Sequence, residues 1–273
     1  MVNLVTNAQV RRACGVGSDI TTDEDITAII TEIQKEILSS LKVNITPTMK
    51  TEIRDGNGKN SIRVNSPYIW KLLELRTATT DIELEEVTIN PMSSIITIDS
   101  SQNPYYFFPY KNNVKIKYLS AFMDLTTTTT ESSVDVEAGT SVDIAVDSEI
   151  GFADDDWVLI KGLDGNIESA KITGTDTSEI TVDELVQNHE SGSLITLLQT
   201  HELLVQYVLY ESAVAVGTNA TGGSYNFSTG YTFPEYSVQK GVPYTHFQKT
   251  VMDNQKKSKT IKSQIYTKLN AIA

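Results

Sequence analysis

The sequence predicts an α+β fold: helices and antiparallel strands at both ends of the chain, interrupted by a small all-β barrel or sandwich insertion. Three patterns carry this reading. Apolar residues recur at helical spacing before residue 42 and again after residue 200. In between, segments such as Val114, Ile116 and Tyr118 alternate with Lys115 and Lys117, as a half-buried strand does. From Val134 to Leu198, short apolar runs are punctuated by Gly139, Gly151, Asp164-Gly165, Gly174 and Gly192, the rhythm of a small antiparallel β structure. With 273 residues, 40% hydrophobic and 21% charged, the chain can bury a core in one large domain or two smaller ones.

In chain order, the clearest helix runs from Thr22 to Leu41, where Ile26, Ile29, Ile30, Ile33, Ile37, Leu38 and Leu41 form one stripe. Thr22 with Asp25 reads as its capping box, and Asp23 and Glu24 suit the positive end of the helix dipole. Isoleucine is a middling helix former, so this helix depends on packing against partners. Met49–Arg54 and Ser61–Val64 flank Asp55-Gly56-Asn57-Gly58, which predicts a hairpin. Pro67–Arg76 is open between strand and short helix, and Glu83–Asp99 reads as extended with a break at Pro91.

Composition then changes. Five threonines, Thr126 to Thr130, with Glu131, Ser132 and Ser133 contain no core residue and read as a linker. The predicted division is therefore an outer α+β domain, residues 1–125 and 200–273, around an inserted β module, 126–199. After the module, Leu203, Leu204, Tyr207, Val208, Tyr210 and Val214 predict a helix from His201 to Val216. Gly217–Gly241 reads as loop. Tyr244–Leu269 reads as a lysine-laced amphipathic helix or pair of helices, whose removal from Gly241 onward should leave a folded body.

Charge is unevenly spread over the net −13. Seven lysines from Lys240 onward face Asp253 alone, giving +6, so the rest carries 15 basic and 34 acidic residues, −19. An acidic body repels phosphates, which argues against nucleic-acid binding by it, whereas the basic tail suits a negative neighbour. No run approaches the roughly 18 apolar residues of a membrane helix, and the N-terminus lacks the pattern of a signal peptide. Cys14 is alone, so no intramolecular disulfide forms; it reads as a small residue in a short helix or turn.

No catalytic, cofactor-binding or metal-binding residues are expected, and the chain does not read as an enzyme. His189, His201 and His246 are scattered and one cysteine cannot complete a zinc site with them. Asp154-Asp155-Asp156 and Asp55–Lys59 lack the full run of oxygen ligands a calcium loop needs. Gly217–Gly223 has neither the Gly-Lys-Ser/Thr ending nor the preceding strand of a phosphate loop. The aromatic clusters at Tyr105, Tyr106, Phe107, Phe108 and Tyr110, and at Tyr225, Phe227, Tyr231, Phe233, Tyr236, Tyr244 and Phe247, read as core or subunit contacts.

Two stretches carry a family resemblance. The Ile-rich helix after TTDEDI, a strand ending NVKIKY and the helix HELLVQYVLYESAVAV together resemble the head–tail connector (adaptor) proteins of tailed viruses and bacteriophages. The insertion is similar to a β module of phage neck and tail proteins. Gly151-Phe152, Asp154, Asp156, Val158, Ile160, Asp164-Gly165, Glu168, Ile172, His189 and Gly192 fill its places, with Asp155-Asp156 where the module usually has Gly-Asp.

The resemblance implies a small helical bundle with antiparallel strands and a mobile C-terminal segment. It implies a structural virion protein of the neck, assembled in the host cytoplasm, that forms a homo-oligomeric ring, commonly twelvefold, beneath the portal protein. DNA would pass through without sequence recognition toward downstream neck or tail proteins, with no membrane and no cofactor involved. Tyr244, Phe247, Lys249, Lys256, Lys257, Lys259 and Lys262 would then bind the portal or an adjacent subunit. The alternative is a tail- or fibre-associated module that recognises a surface glycan.

Overall fold

The computed structural model describes residues 3–17, 21–66, 68–77, 81–82, 84, 87–90, 94–98, 107, 109–220, 230–232, 237–239 and 242–272. They divide into a helical unit, residues 1–43 with 202–270, and a β unit, residues 44–201 with 271–273.

Local signals start the helices. Thr6 caps α1 (Asn7–Cys14) in a reciprocal box with Gln9, and Gly15 ends it in the left-handed conformation. Thr22 caps α2 (Asp23–Leu41), accepting from the Asp25 amide and donating from its hydroxyl to the Asp25 carboxylate. The buried stripe of α2 is Ile26, Ile30, Ile37 and Leu41, with Gln34 among them. Gln34 is tolerated there because its Oε1 accepts the Leu4 amide at 2.9 Å.

Helix α3 (Glu202–Ala220) is covered on most sides and buries Leu204, Tyr207, Val208, Ala213 and Val216. Helix α4 (Val242–Ile272) is one continuous helix. It turns Val251, Asn254, Ser258, Ile261 and Ile265 inward. Asn254 donates to the Ala13 carbonyl, Ser258 donates to Glu211, and Val251 lies against Gly217. Since these side chains are part of the unit's interior, α4 is not an appendage that can be removed from a finished body.

In the β unit, β1 (Thr48–Arg54), β6 (Val114–Ser120) and β3 (Lys71–Thr77) form one antiparallel sheet in that order. Strands β2 (Ser61–Arg63), β5 (Ile95–Ile98) and β4 (Val87–Asn90) form a second. Ile62, Val87, Ile89, Ile96 and Ile98 of the second sheet share one core with Leu72, Leu75, Val114, Ile116 and Tyr118 of the first. Trp70, fully buried, is accommodated because its indole N–H donates to the Ala121 carbonyl at 2.9 Å.

The remaining strands are β7 (Met123–Glu131), β8 (Gly139–Ala145), β9 (Trp157–Lys161), β10 (Ile167–Asp176), β11 (Glu179–Leu185) and β12 (Leu194–Thr200). They form one antiparallel sheet, β7-β12-β9-β10-β11-β8. A Ser132–Val146 bridge and the Asp147 amide on the Glu131 carbonyl join the ends of its two outer strands, closing it as a barrel. Phe152, Val158, Ile160, Ala170, Ile172, Ile180, Val182 and Ile195 are in its core. A short ribbon, β13 (Gly230–Thr232) with β14 (Ser237–Gln239), lies between α3 and α4 in sequence.

The expected architecture, a helical bundle with a small β insertion, is overturned: β structure dominates and the helices are only four among the described residues. Strands between 48 and 120 have their own two-sheet core and group with the barrel, because two β-branched sheet faces bury each other without needing a helix. The threonine run is not a linker but part of strand β7, which pairs with β12 on both sides of a register shift. β-Branched threonines suit a pleated surface with one wetted face, and polarity alone does not make a segment a loop. The Asp55–Gly58 hairpin also fails. β1 pairs with β6 and β2 with β5, and the loop is instead held by Gly56 on the Tyr110 carbonyl and Gly58 on the Phe107 carbonyl.

Candidate functional site

Three titratable side chains meet in the interior of the β unit. Lys71 begins β3, Glu168 lies on β10, and His189 sits in the turn before β12; their side chains are 4%, 3% and 1% exposed. Lys71 Nζ lies 3.4 Å from Glu168 Oε2 and donates to the Glu184 carbonyl at 2.8 Å. Glu168 also accepts the amides of Val186 and Gln187, and His189 Nε2 at 2.9 Å. Burial alone would push the Glu168 carboxyl up, but the His189 hydrogen bond, the two amides and the Lys71 charge outweigh it, so its pKa lies below the ordinary range. The carboxylate therefore stays ionised and ties β3 of the sandwich to β10 of the barrel.

Next to this cluster is a polar pocket walled by Asp135, Glu137, Asp164, Asn166, His189 and Glu190, with Gln187 in its wall as well. Because Glu168 is ionised, His189 Nε2 carries the hydrogen between them, and Nδ1 is the ring nitrogen on the other side. Among the described residues Nδ1 has no hydrogen-bond partner, and neither has the Gln187 Oε1, although Gln187 Nε2 donates to the Leu84 carbonyl. Both atoms are buried. The pocket thus combines exposed carboxylates with two lining residues that each keep a buried polar atom unpartnered among the described residues.

Charge is unevenly divided along the chain. Residues 123–200 hold 17 acidic and 2 basic side chains, while residues 242–272 hold six lysines and one aspartate. On α4, Lys249, Lys256 and Lys259 are exposed on the side away from the buried Val251–Ile265 stripe. Lys257 lies over the Tyr210 ring at 5.1 Å, and Lys262 is pushed up by Tyr207, so these two are engaged inside the helical unit. The side chains of Tyr244 and Phe247 lie outside the described residues. The proposed partner-binding set therefore separates into a free-facing lysine row and two lysines with local partners.

The other sequence candidates have structural surroundings. Asp156 accepts the Ala153 amide, and Asp155 pairs with Lys171 at 2.5 Å. His201 stacks on Phe122 with ring centres 4.5 Å apart and faces Asp124 at 3.4 Å. Among the described residues no three His, Cys, Asp or Glu side chains are grouped to hold a metal. Phe107 is fully buried and Tyr110 is exposed; Tyr105, Tyr106, Phe108, Tyr225, Phe227, Phe233, Tyr236 and the side chains of Tyr231 and His246 lie outside the described residues. Gly217–Ala220 end α3, and 221–223 lie outside the described residues.

Lys71 was the member of the buried cluster that sequence reasoning missed. Its signal was present, since a lone cation inside Tyr-Ile-Trp-Lys-Leu-Leu, a run this apolar, needs a buried partner. No family model and no curated protein matches the chain.

Proposed function

We propose that the protein is a structural subunit of a viral particle, a connector of the neck that assembles as a ring below the portal and lines the path of the DNA. The supporting observation is what the module positions do. Phe152, Val158, Ile160 and Ile172 fill the barrel core, Gly151 and Gly192 take positive φ at its turns, and Glu168 with His189 builds the buried joint to the sandwich. Every one of these roles is framework. A motif spent on rigidity suits a part that carries load between neighbours better than one that turns over a substrate.

The reading no longer draws on a helical bundle, since the fold is mostly β. It draws on the module and on the separation of charge between the barrel and α4. An acidic barrel suits a surface along which DNA slides without adhering. The glycan-binding alternative gains nothing from the pocket, whose walls offer carboxylates and amides but no aromatic face for a sugar.

Negative-stain images of the purified protein, together with antibody labelling of virions, test the proposal. Rings in solution and label at the junction of head and tail are expected. Absence of the protein from particles overturns it.

A further inference from the structure

We infer that the acidic pocket of the barrel is the receptor for the exposed lysine row of α4 on a second copy of this chain, in a head-to-tail contact. The inference deepens the ring reading by naming the two surfaces that meet.

Two independent observations point to a cation donor as the occupant. Glu137, Glu190 and Asp164 are exposed at the pocket, and two of its lining residues, His189 and Gln187, each keep a buried polar atom, Nδ1 and Oε1, without a hydrogen-bond partner among the described residues. The Gln187 carbonyl oxygen can only accept, so together with the three carboxylates it favours a group that brings hydrogens and positive charge. A lysine ammonium has three donors and no acceptor, which makes it the side chain best matched to such a site. Glu137 and Glu190 form no ion pair among the described residues.

The lysine row supplies that group. Lys249, Lys256 and Lys259 follow one another at seven and three residues along a rigid helix, on the side opposite its buried stripe. None of the three has an ion-pair partner among the described residues. Symmetric pairing of two barrels would bring two groups of 17 acidic and 2 basic residues together and is repelled. A contact between unlike surfaces is attractive, and a contact of that type closes into a ring or extends as a filament. The charge distribution therefore selects which surfaces meet, barrel against α4 and not barrel against barrel.

The test uses the full chain in three forms: wild type, Glu137→Lys/Glu190→Lys, and Lys256→Glu/Lys259→Glu, with size measured by sedimentation velocity. Each variant alone should associate at least about tenfold more weakly than wild type, because like charges then face each other. Mixing the two variants should restore assembly, since each reversed pocket meets a reversed helix and each natural pocket a natural helix. A monomeric wild type, or assembly indifferent to both reversals, overturns the inference. So does failure of the mixture when all four changes in one chain restore assembly, because the contact is then within the chain. Rings that survive both reversals would sink this contact while leaving the connector reading intact. Charge-dependent assembly of a protein missing from particles would do the opposite.

Discussion

The β unit and the helical unit solve the same packing problem with different chemistry. The β unit joins two layers through a buried ion pair, with Lys71 on the sandwich and Glu168, braced by His189, on the barrel. The helical unit is joined by close approach and hydroxyl or amide hydrogen bonds: Gly217 against Val251, Asn254 on the Ala13 carbonyl, Ser258 on Glu211. The first kind of joint is directional and depends on charge state; the second depends on shape. Between sandwich and barrel, polar contacts with defined partners, Lys71 with Glu168 and Glu184 and Gln187 with Leu84, fix the registry, whereas helices interdigitate along their length.

The sharpest way to break that comparison is to remove one ion. Lys71→Met should leave Glu168 buried without its cation and cost about 3–5 kcal/mol, read from urea unfolding. Both tryptophans, Trp70 and Trp157, lie in the β unit and the helices in the other, so fluorescence should report the loss and the far-UV helical signal should follow less. If both signals moved equally, the ion pair would not belong to the β unit alone.

Acid should separate the two regions in the same way. The folded pKa of Glu168 is depressed, so its stabilisation is present above the ordinary carboxylate value of about 4.3 and is lost as pH falls through the lower folded value. Fluorescence-monitored stability should therefore drop below about pH 4. Glu168→Gln, measured across that range, should be less stable at neutral pH and should flatten the drop.

A smaller effect is expected from the helical joint. Gly217→Ala gains about 1 kcal/mol of helix propensity, but the added carbon would sit 2.7 Å from Val251 Cγ2, and such overpacking costs about 1–3 kcal/mol. A net loss of about 1 kcal/mol should appear in thermal unfolding, independent of pH, and Val251→Ala should relieve it in the double variant. Thr22→Ala removes the α2 cap and should cost about 1 kcal/mol at most, also without pH dependence. The smallest effect belongs to the exposed Arg76–Asp81 pair, where Asp81→Asn should change stability by less than about 0.5 kcal/mol by either probe.

Elements whose signal is local were readable in advance. Helix α2 declared itself by its stripe and Thr22 cap, α3 by Leu204, Tyr207 and Val208, and β6 by alternation; Glu168 and His189 were named only as places in the module, and their buried pairing was not expected. Two segments were misread and one residue was passed over, each for a reason outside its own residues. The threonines of β7 become a strand because β12 lies beside them. The Asp55–Gly58 turn opens because β1 pairs with β6, some sixty residues away, and β2 with β5. Lys71 becomes half of a buried pair only when β10 arrives, almost a hundred residues later.

The chain by itself determined where helices begin, which faces are apolar and how charge divides between the barrel and α4, because caps, periodicity and net charge are properties of neighbours in sequence. Tertiary structure alone decided strand partners, the second sheet that covers the first, and the meeting of Lys71, Glu168 and His189. Those depend on the free energy of bringing distant segments together, where a strand takes the partner that buries its face, and no short stretch of sequence records that choice.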